Sequence, residues 1–206
     1  MPMEPVLGVI LAGGLSRRMG GGDKPLRLLA GRTLLDRVVE RFTPQCGLGI
    51  VLNANGDPAR FAEFPGPVVP DGVPDNPGPL AGILAALDHA AARHPSATHV
   101  ASVTGDAPFL PLDLVERLRT GLSGAPIAMA SSAGREHFTV ALWAVSLRDD
   151  LRASLVERGE RRVGAFLRRH GAVAVDWPAD PVDPFLNINT PEDLALAEAL
   201  LPHADR

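Results

Sequence analysis

The sequence predicts a three-layer α/β/α fold with a mostly parallel central sheet. Three observations predict it. Short apolar runs alternate along the chain with segments of helical periodicity. The runs are near-continuous Val, Ile and Leu, as expected of strands buried on both faces. Polar residues gather just after the runs, where open α/β sheets bind their ligands.

Strands are expected near Leu7–Leu11, Gly49–Asn53, His99–Thr104, Ile127–Ala130, Thr139–Ala144 and Val173–Val175. Between the first two, Leu34, Leu35, Val38, Val39 and Phe42 repeat at helical spacing and form one apolar stripe. An alanine-rich helix is expected over Pro79–Ala92, with Pro79 in its first turn. Leu112–Leu122 predicts another, with Leu114, Val115 and Leu118 on one side. Ser146 is a candidate cap for a helix through about Glu157. Thr190 is a good N-cap for a last helix, with Pro191 at its first position and Glu192 and Asp193 in its first turn. Strand–helix alternation argues for helices on both faces of the sheet. The Pro- and Gly-rich segment Pro65–Pro79 fits an active-site loop better than an interdomain hinge, so residues 1–206 are expected to form one domain.

Composition narrows the function. The chain has 206 residues, 46% hydrophobic but only 4% aromatic, with no tyrosine, so its core must be aliphatic and alanine-rich. A net charge of −4 argues against a nucleic-acid polymer as partner, while leaving room for a local cationic pocket. A single cysteine, Cys46, excludes an internal disulfide and a cysteine-cluster metal site, and reads as a small buried hydrophobe. No apolar run approaches bilayer length and no export signal is recognisable, so a cytoplasmic protein without membrane contact is expected.

The most informative stretch is Val9-Ile-Leu-Ala-Gly-Gly-Leu-Ser-Arg-Arg-Met-Gly-Gly-Gly-Asp-Lys24-Pro25. An apolar strand runs into a loop with five glycines that closes on a lysine. Glycines let backbone N–H groups approach an anion without a Cβ in the way. Arg17, Arg18 and Lys24 surround that loop with positive charge, and one of the two arginines is expected to face the ligand. Neither the P-loop nor the dinucleotide fingerprint fits, because Lys24 lies between Asp23 and Pro25 and the Gly spacing is wrong. Pro25 disfavours helical geometry at Lys24, which is therefore expected to project from an extended loop.

Asp106 follows the apolar run Val100–Gly105 and is the strongest single candidate for chemistry. A carboxylate at that place needs a partner, and Mg²⁺ takes one or two carboxylates with waters and substrate phosphates. A turn or helix-capping role is the competing reading. Asn53 could read a base edge or belong to the turn Asn53-Ala-Asn55-Gly56. Asp71 could hold a nucleotide or form an ordinary Pro-Asp-Gly turn. His137 suits substrate contact or a surface turn equally, and Arg158, Arg161 and Arg162 suit a solvated helix end or a second anion site.

No motif supplies a general base. A phosphate monoester as nucleophile needs none, since its second pKa near 6 leaves it largely dianionic at neutral pH. It needs charge screening and in-line alignment. This points to attack of a phosphate on the α-phosphorus of a nucleoside triphosphate with release of pyrophosphate. A nucleotide-binding module without catalysis is the alternative of a different class.

The segment from Leu11 to Lys24 resembles the signature of molybdenum cofactor guanylyltransferases, nucleotidyltransferases of Rossmann-like, glycosyltransferase-A-like fold. The resemblance continues through Asn53-Ala-Asn55, Gly78-Pro-Leu-Ala-Gly82, Gly105-Asp106-Ala-Pro108, Gly159-Glu-Arg-Arg162 and Asn187-Ile-Asn-Thr-Pro-Glu-Asp193. It implies transfer of GMP from GTP to molybdopterin, already carrying molybdenum, with Mg²⁺ on Asp106. It assigns nucleotide contact to Leu11, Ala12, Gly13, Gly14, Arg18, Lys24, Asn53, Asp71 and Asp106, with Lys24 and Asp106 catalytic. It puts the acceptor near Arg161, Arg162, Asn187 and Asn189. The pair Gly13-Gly14 resembles the guanine-using branch. A related enzyme using CTP on molybdopterin, or an NTP on a sugar or polyol phosphate, is the runner-up. The resemblance also implies transient contact with cofactor-synthesis proteins, and a monomer is expected. Two departures stand out: Phe138 follows His137 where relatives often have Pro, and Gly56 follows Asn55 where they often have Arg.

Overall fold

The computed structural model describes residues 5–13, 23–74 and 78–204. Strand β1 (Val6–Leu11) opens the fold. A small antiparallel hairpin, β2 (Leu28–Leu29) and β3 (Arg32–Thr33), leads into helix α1 (Leu34–Phe42). Then come β4 (Ile50–Asn53), β5 (Val68–Val69), α2 (Pro79–Arg93), β6 (His99–Thr104) and α3 (Leu114–Gly121). The second half holds β7 (Ile127–Ser132), β8 (Arg135–Ala144), α4 (Arg148–Val156), α5 (Val163–Arg169), β9 (Val173–Trp177) and α6 (Pro191–Leu200).

The main sheet has the order β5-β4-β1-β6-β8-β7-β9. All neighbours are parallel except β8, which runs against both β6 and β7. From β1 the chain moves outward to β4 and β5, then returns to place β6 on the other side of β1. That reversal is a topological switch point, and the crevice at its carboxyl end is where an open sheet binds ligands. Leu11 pairs with both Asn53 and Thr104 there.

Strand β1 shows why the sheet needs two helical layers. Val6 and Ile10 enter the core with Val38 and Phe42 of α1, and with Leu114 and Leu118 of α3. Leu7, Val9 and Leu11 enter the opposite core with Leu80, Ile83 and Leu87 of α2, and with Leu151 of α4. A third, smaller core gathers Leu29, Leu34, Phe109, Ile188 and Ala197 under α6. Cys46 is buried in the first core, and burial pushes its thiol pKa far up, which keeps it an inert packing group.

The expected strands and helices are present, with instructive differences. Ser146 does not cap α4: a 3₁₀ turn over Val145–Leu147 precedes that helix, and its N-cap, Leu147, makes no side-chain bond. The β7–β8 pair is longer than its apolar runs suggest. It closes through Ala133 and Gly134, both with positive φ, as a two-residue hairpin turn requires. His137 therefore lies within β8, not in a surface turn. Short β5 lies just before Asp71 inside the Pro- and Gly-rich segment, and α5, only 7 residues long and containing Gly164, is too short to show helical periodicity in the sequence. Among the described residues, no helix is long and apolar enough to cross a membrane.

Gly8 is the tightest point of the first core. A Cβ there would lie 2.7 Å from Cys46 Sγ, 2.7 Å from Phe42 and 2.8 Å from Ile50. Overpacking of this kind costs about 1–3 kcal/mol. Gly8→Ala is expected to lose that much stability in urea unfolding with an unchanged m-value; a variant as stable as the parent would show that α1 moves freely on the sheet.

Candidate active site

The site is built where β1 and β6 end. Leu11 and Ala12 are buried, and Gly13 is exposed with open space where a Cβ would be. The Ala12 amide donates to Asn53 O at 2.9 Å, and the Gly105 amide donates to Leu11 O at 3.1 Å. The three strand ends are thus stitched together immediately before Asp106. Gly14, Arg17 and Arg18 lie outside the described residues.

Lys24 does not project from an extended loop. It begins a 3₁₀ turn over Lys24–Leu26, with Asp23 as N-cap. Pro25 fits because the amides in the first turn of a helix need no intrahelical acceptor. The turn packs on the site: a Cβ at Gly105 would lie 3.0 Å from Pro25 Cγ. A glycine beside Pro25 lets the lysine turn sit directly over the end of β6.

The Lys24 ammonium bonds Asp106 Oδ2 and Asn189 Oδ1. Asn189 donates from Nδ2 to Asn187 O at 3.3 Å, and Asn187 Oδ1 accepts from Thr104 Oγ1 at 3.1 Å. The Ile188 amide donates to Asp106 O at 3.0 Å. A capping box at the start of α6 holds this segment: Thr190 Oγ1 accepts from the Asp193 amide, while Asp193 Oδ2 accepts from the amides of Thr190 and Asn189. Residues from both ends of the chain therefore converge on Asp106. Its other oxygen, Oδ1, is buried and has no hydrogen-bond donor among the described residues. A buried carboxylate oxygen without a partner is costly, and a cation would satisfy it. One carboxylate, with waters and substrate phosphates, suffices for Mg²⁺. No cluster of three metal-ligating side chains occurs among the described residues.

Asn53 and Asp71 belong to the same rim and are bonded to each other. Asn53 is buried, and its Nδ2 donates to Val69 O at 3.1 Å and to Asp71 Oδ1 at 2.9 Å. Asn55 Nδ2 donates to Asp71 Oδ2 at 2.8 Å, and Asn55 Oδ1 accepts from the Asp71 amide at 2.9 Å. Both amide hydrogens of Asn53 are engaged, so it braces β4 to the segment after β5. A Cβ at Gly82 would lie 2.1 Å from Asn53 Oδ1, so only glycine lets α2 approach this brace. Asp71 is bound by both asparagines rather than lying in a free turn.

Beyond Asn187 opens a cavity of about 450 Å³ between β8 and α5. Arg135, Arg162 and Arg168 line it, with Glu136, His137 and Asn187. Arg162 and Asn187 thus face one cavity; Arg161 is exposed beside it. Burial pushes the His137 pKa below its ordinary value; Asp183 pulls it up and Arg135 pushes it down.

An ion network braces the loop carrying Arg161 and Arg162. Asp150 accepts from Arg158 at 2.8 Å, Arg169 at 3.0 Å and His170 at 2.8 Å, and Arg169 also pairs with Glu160. Partial burial would raise the Asp150 pKa, but the bonds from His170, Arg158 and Arg169 outweigh it and hold the carboxyl at about 2.

These features define a nucleotidyltransferase-like site: a glycine-rich strand end, a lysine–carboxylate pair at the switch point and an adjoining cationic cavity. Residues 8–173 match the MobA-like NTP transferase domain, and the chain belongs to that family. It is 54% identical to the molybdenum cofactor guanylyltransferase of Bradyrhizobium sp. (strain ORS 278), over 98% of this chain and 95% of that one. Among solved structures it resembles molybdopterin-guanine dinucleotide biosynthesis protein A from Archaeoglobus fulgidus, with a TM-score of 0.72 and 25% identity, over 96% of this chain and 99% of that one. It shares its fold with Rv0371C from Mycobacterium tuberculosis, a protein solved in complex with manganese (TM-score 0.67, 20% identity, 95% and 98% covered).

The sign of the Asp150 effect is fixed by its depressed pKa. The network's stabilisation is present above the ordinary value of 3.8 and is lost as pH falls toward about 2. Asp150→Asn is expected to lower Tm at pH 7 and to flatten the fall of Tm between pH 4 and pH 2, measured by calorimetry. An unchanged acid limb would show that the network adds nothing to stability.

Proposed function

We propose that the protein transfers GMP from GTP to molybdenum-bearing molybdopterin, forming the guanine dinucleotide cofactor and pyrophosphate. The observation that carries this is the convergence of Lys24, Asn189 and Asp106, with one Asp106 oxygen buried and without a donor among the described residues. The name borne by relatives about half identical to this chain supports the choice of guanine and of the acceptor.

In this reading Asp106 would hold Mg²⁺, with its buried Oδ1 available to the ion. The ion supplies charge screening at the phosphates when bound. Lys24 neutralises Asp106 before substrate arrives and lies within reach of the triphosphate afterwards. Leu11, Ala12 and Gly13, with Gly14 and Arg18, receive the nucleotide along the end of β1. Asn53 and Asp71 keep the far rim rigid, so the base meets a fixed surface. Arg161, Arg162, Asn187 and Asn189 hold the acceptor. An acceptor phosphate oxygen bonds to the α-phosphorus of GTP, the bond to the bridging oxygen toward the β-phosphorus breaks, and pyrophosphate leaves. The acceptor phosphate is already deprotonated, so no side chain has to remove a proton. Residues 1–206 act as one nucleotidyltransferase domain, a cytoplasmic monomer that meets other cofactor-synthesis proteins transiently.

Incubation with molybdopterin, Mg²⁺ and each NTP, with the product identified by mass, tests the reading directly. GTP is expected to be consumed in preference to CTP and UTP; preference for CTP, or transfer to a sugar phosphate instead, would replace it. Asp106→Asn is expected to cut pyrophosphate release by about a hundredfold or more with the fold intact. Lys24→Ala is expected to raise the KM for GTP by roughly tenfold. Pyrophosphate release at parental rates by the Asp106 variant would remove that residue from the mechanism.

A further inference from the structure

One guanidinium links the lysine turn to the rim that holds Asp71. After β4, Gly56 makes the bend between Asn55 and Asp57 with φ at +87°. Asp57 then caps a 3₁₀ turn over Pro58–Phe61, its Oδ1 accepting from the Ala59 amide at 2.9 Å. The Arg60 side chain folds back over the entry to that turn. Its Nε donates to Asp57 O at 3.0 Å, its Nη2 to Asn55 O at 2.5 Å and its Nη1 to Asp23 Oδ1 at 2.5 Å. Asn55 is also the residue that grips Asp71, through both its Nδ2 and its Oδ1. Arg60 thus spans two segments: the one that delivers Lys24 and the one that braces β4 to β5.

Asp23 is the telling partner. It is the N-cap of the Lys24 turn, where an aspartate ordinarily bonds amides of the first turn. Asp23 makes no such side-chain bond. Its backbone carbonyl takes the Leu26 amide at 3.0 Å, and its carboxylate goes to Arg60 instead. Left alone, a carboxylate one residue from Lys24 would compete for the lysine ammonium and repel a triphosphate arriving beside it. The pair adds little to fold stability, since the Arg60 and Asp23 side chains are 38% and 22% exposed. What matters is where it leaves the charge. We propose that Arg60 is a positioning residue for the nucleotide: it neutralises Asp23 and holds that carboxylate on the Asn55 side of the lysine turn, so that Lys24 meets the phosphates with its charge undiminished. This role presupposes the transferase reading above and adds to it a residue that acts through Asp23.

Initial rates of pyrophosphate release by the full-length protein, with molybdopterin, Mg²⁺ and GTP, test it. Arg60→Ala is expected to raise the KM for GTP about fivefold, with kcat within about twofold of the parent and the KM for molybdopterin unchanged. The excess over the parent at the same salt is expected to shrink from about 0.05 M to about 0.5 M salt, because the freed carboxylate acts through space. Arg60→Ala combined with Asp23→Asn is expected to bring the KM for GTP back to within about twofold of the parent, since the freed charge is gone. An unchanged KM for GTP in Arg60→Ala overturns the proposal. So does a double variant no better than the single one, which would show a mechanical link in place of a charge effect. Failure of the parent protein to release pyrophosphate would instead remove the transferase reading itself.

Discussion

Everything at the site turns on one carboxylate held at the edge of the sheet with half its charge answered. Asp106 gives one oxygen to Lys24 and keeps the other buried, without a donor among the described residues. The pair is only 16% and 17% exposed, so water does little to screen it. In such surroundings a charge pair resists loss of either member, because the partner left behind is stranded. The fold maintains the pair through two backbone hydrogen bonds, Gly105 to Leu11 and Ile188 to Asp106, and through the Pro25 ring against Gly105.

The reversal of β8 divides the molecule into two halves with different tasks. β1, β4 and β6 are parallel and end together, which makes an edge suited to a nucleotide. β8 runs the other way, so its beginning, not its end, comes to that edge and brings Arg135 and Phe138 to a cavity beside α5. Asn187 and Asn189 join the halves, since one faces the cavity and the other bonds Lys24.

Net charge and local charge are decoupled. A chain with a net charge of −4 concentrates arginines around the cavity and braces the loop that carries Arg162 with Asp150 and Glu160. Three arginines, Arg135, Arg162 and Arg168, line the cavity against a single acidic side chain, Glu136. This is how an acidic protein can hold an anionic ligand.

What the sequence by itself determined was the frame and its landmarks. The apolar runs announced the parallel strands, Thr190-Pro191 announced the last helix through its cap, and the position of Asp106 after a buried run marked the ligand edge. These are local signals, since periodicity, capping and strand ends are written within a few residues of where they act. Only the tertiary structure decided the rest. Lys24 and Asp106 are 82 residues apart, and Lys24 and Asn189 are 165 apart. No local pattern states that they meet. The same holds for Arg60 and Asp23, 37 residues apart, and for Asn53, whose amide the sequence offered to a ligand and the fold turned inward to Asp71. Hydrogen bonds between distant segments depend on how strands are ordered across the sheet, and that order follows from packing both faces at once, which no single stretch of residues specifies.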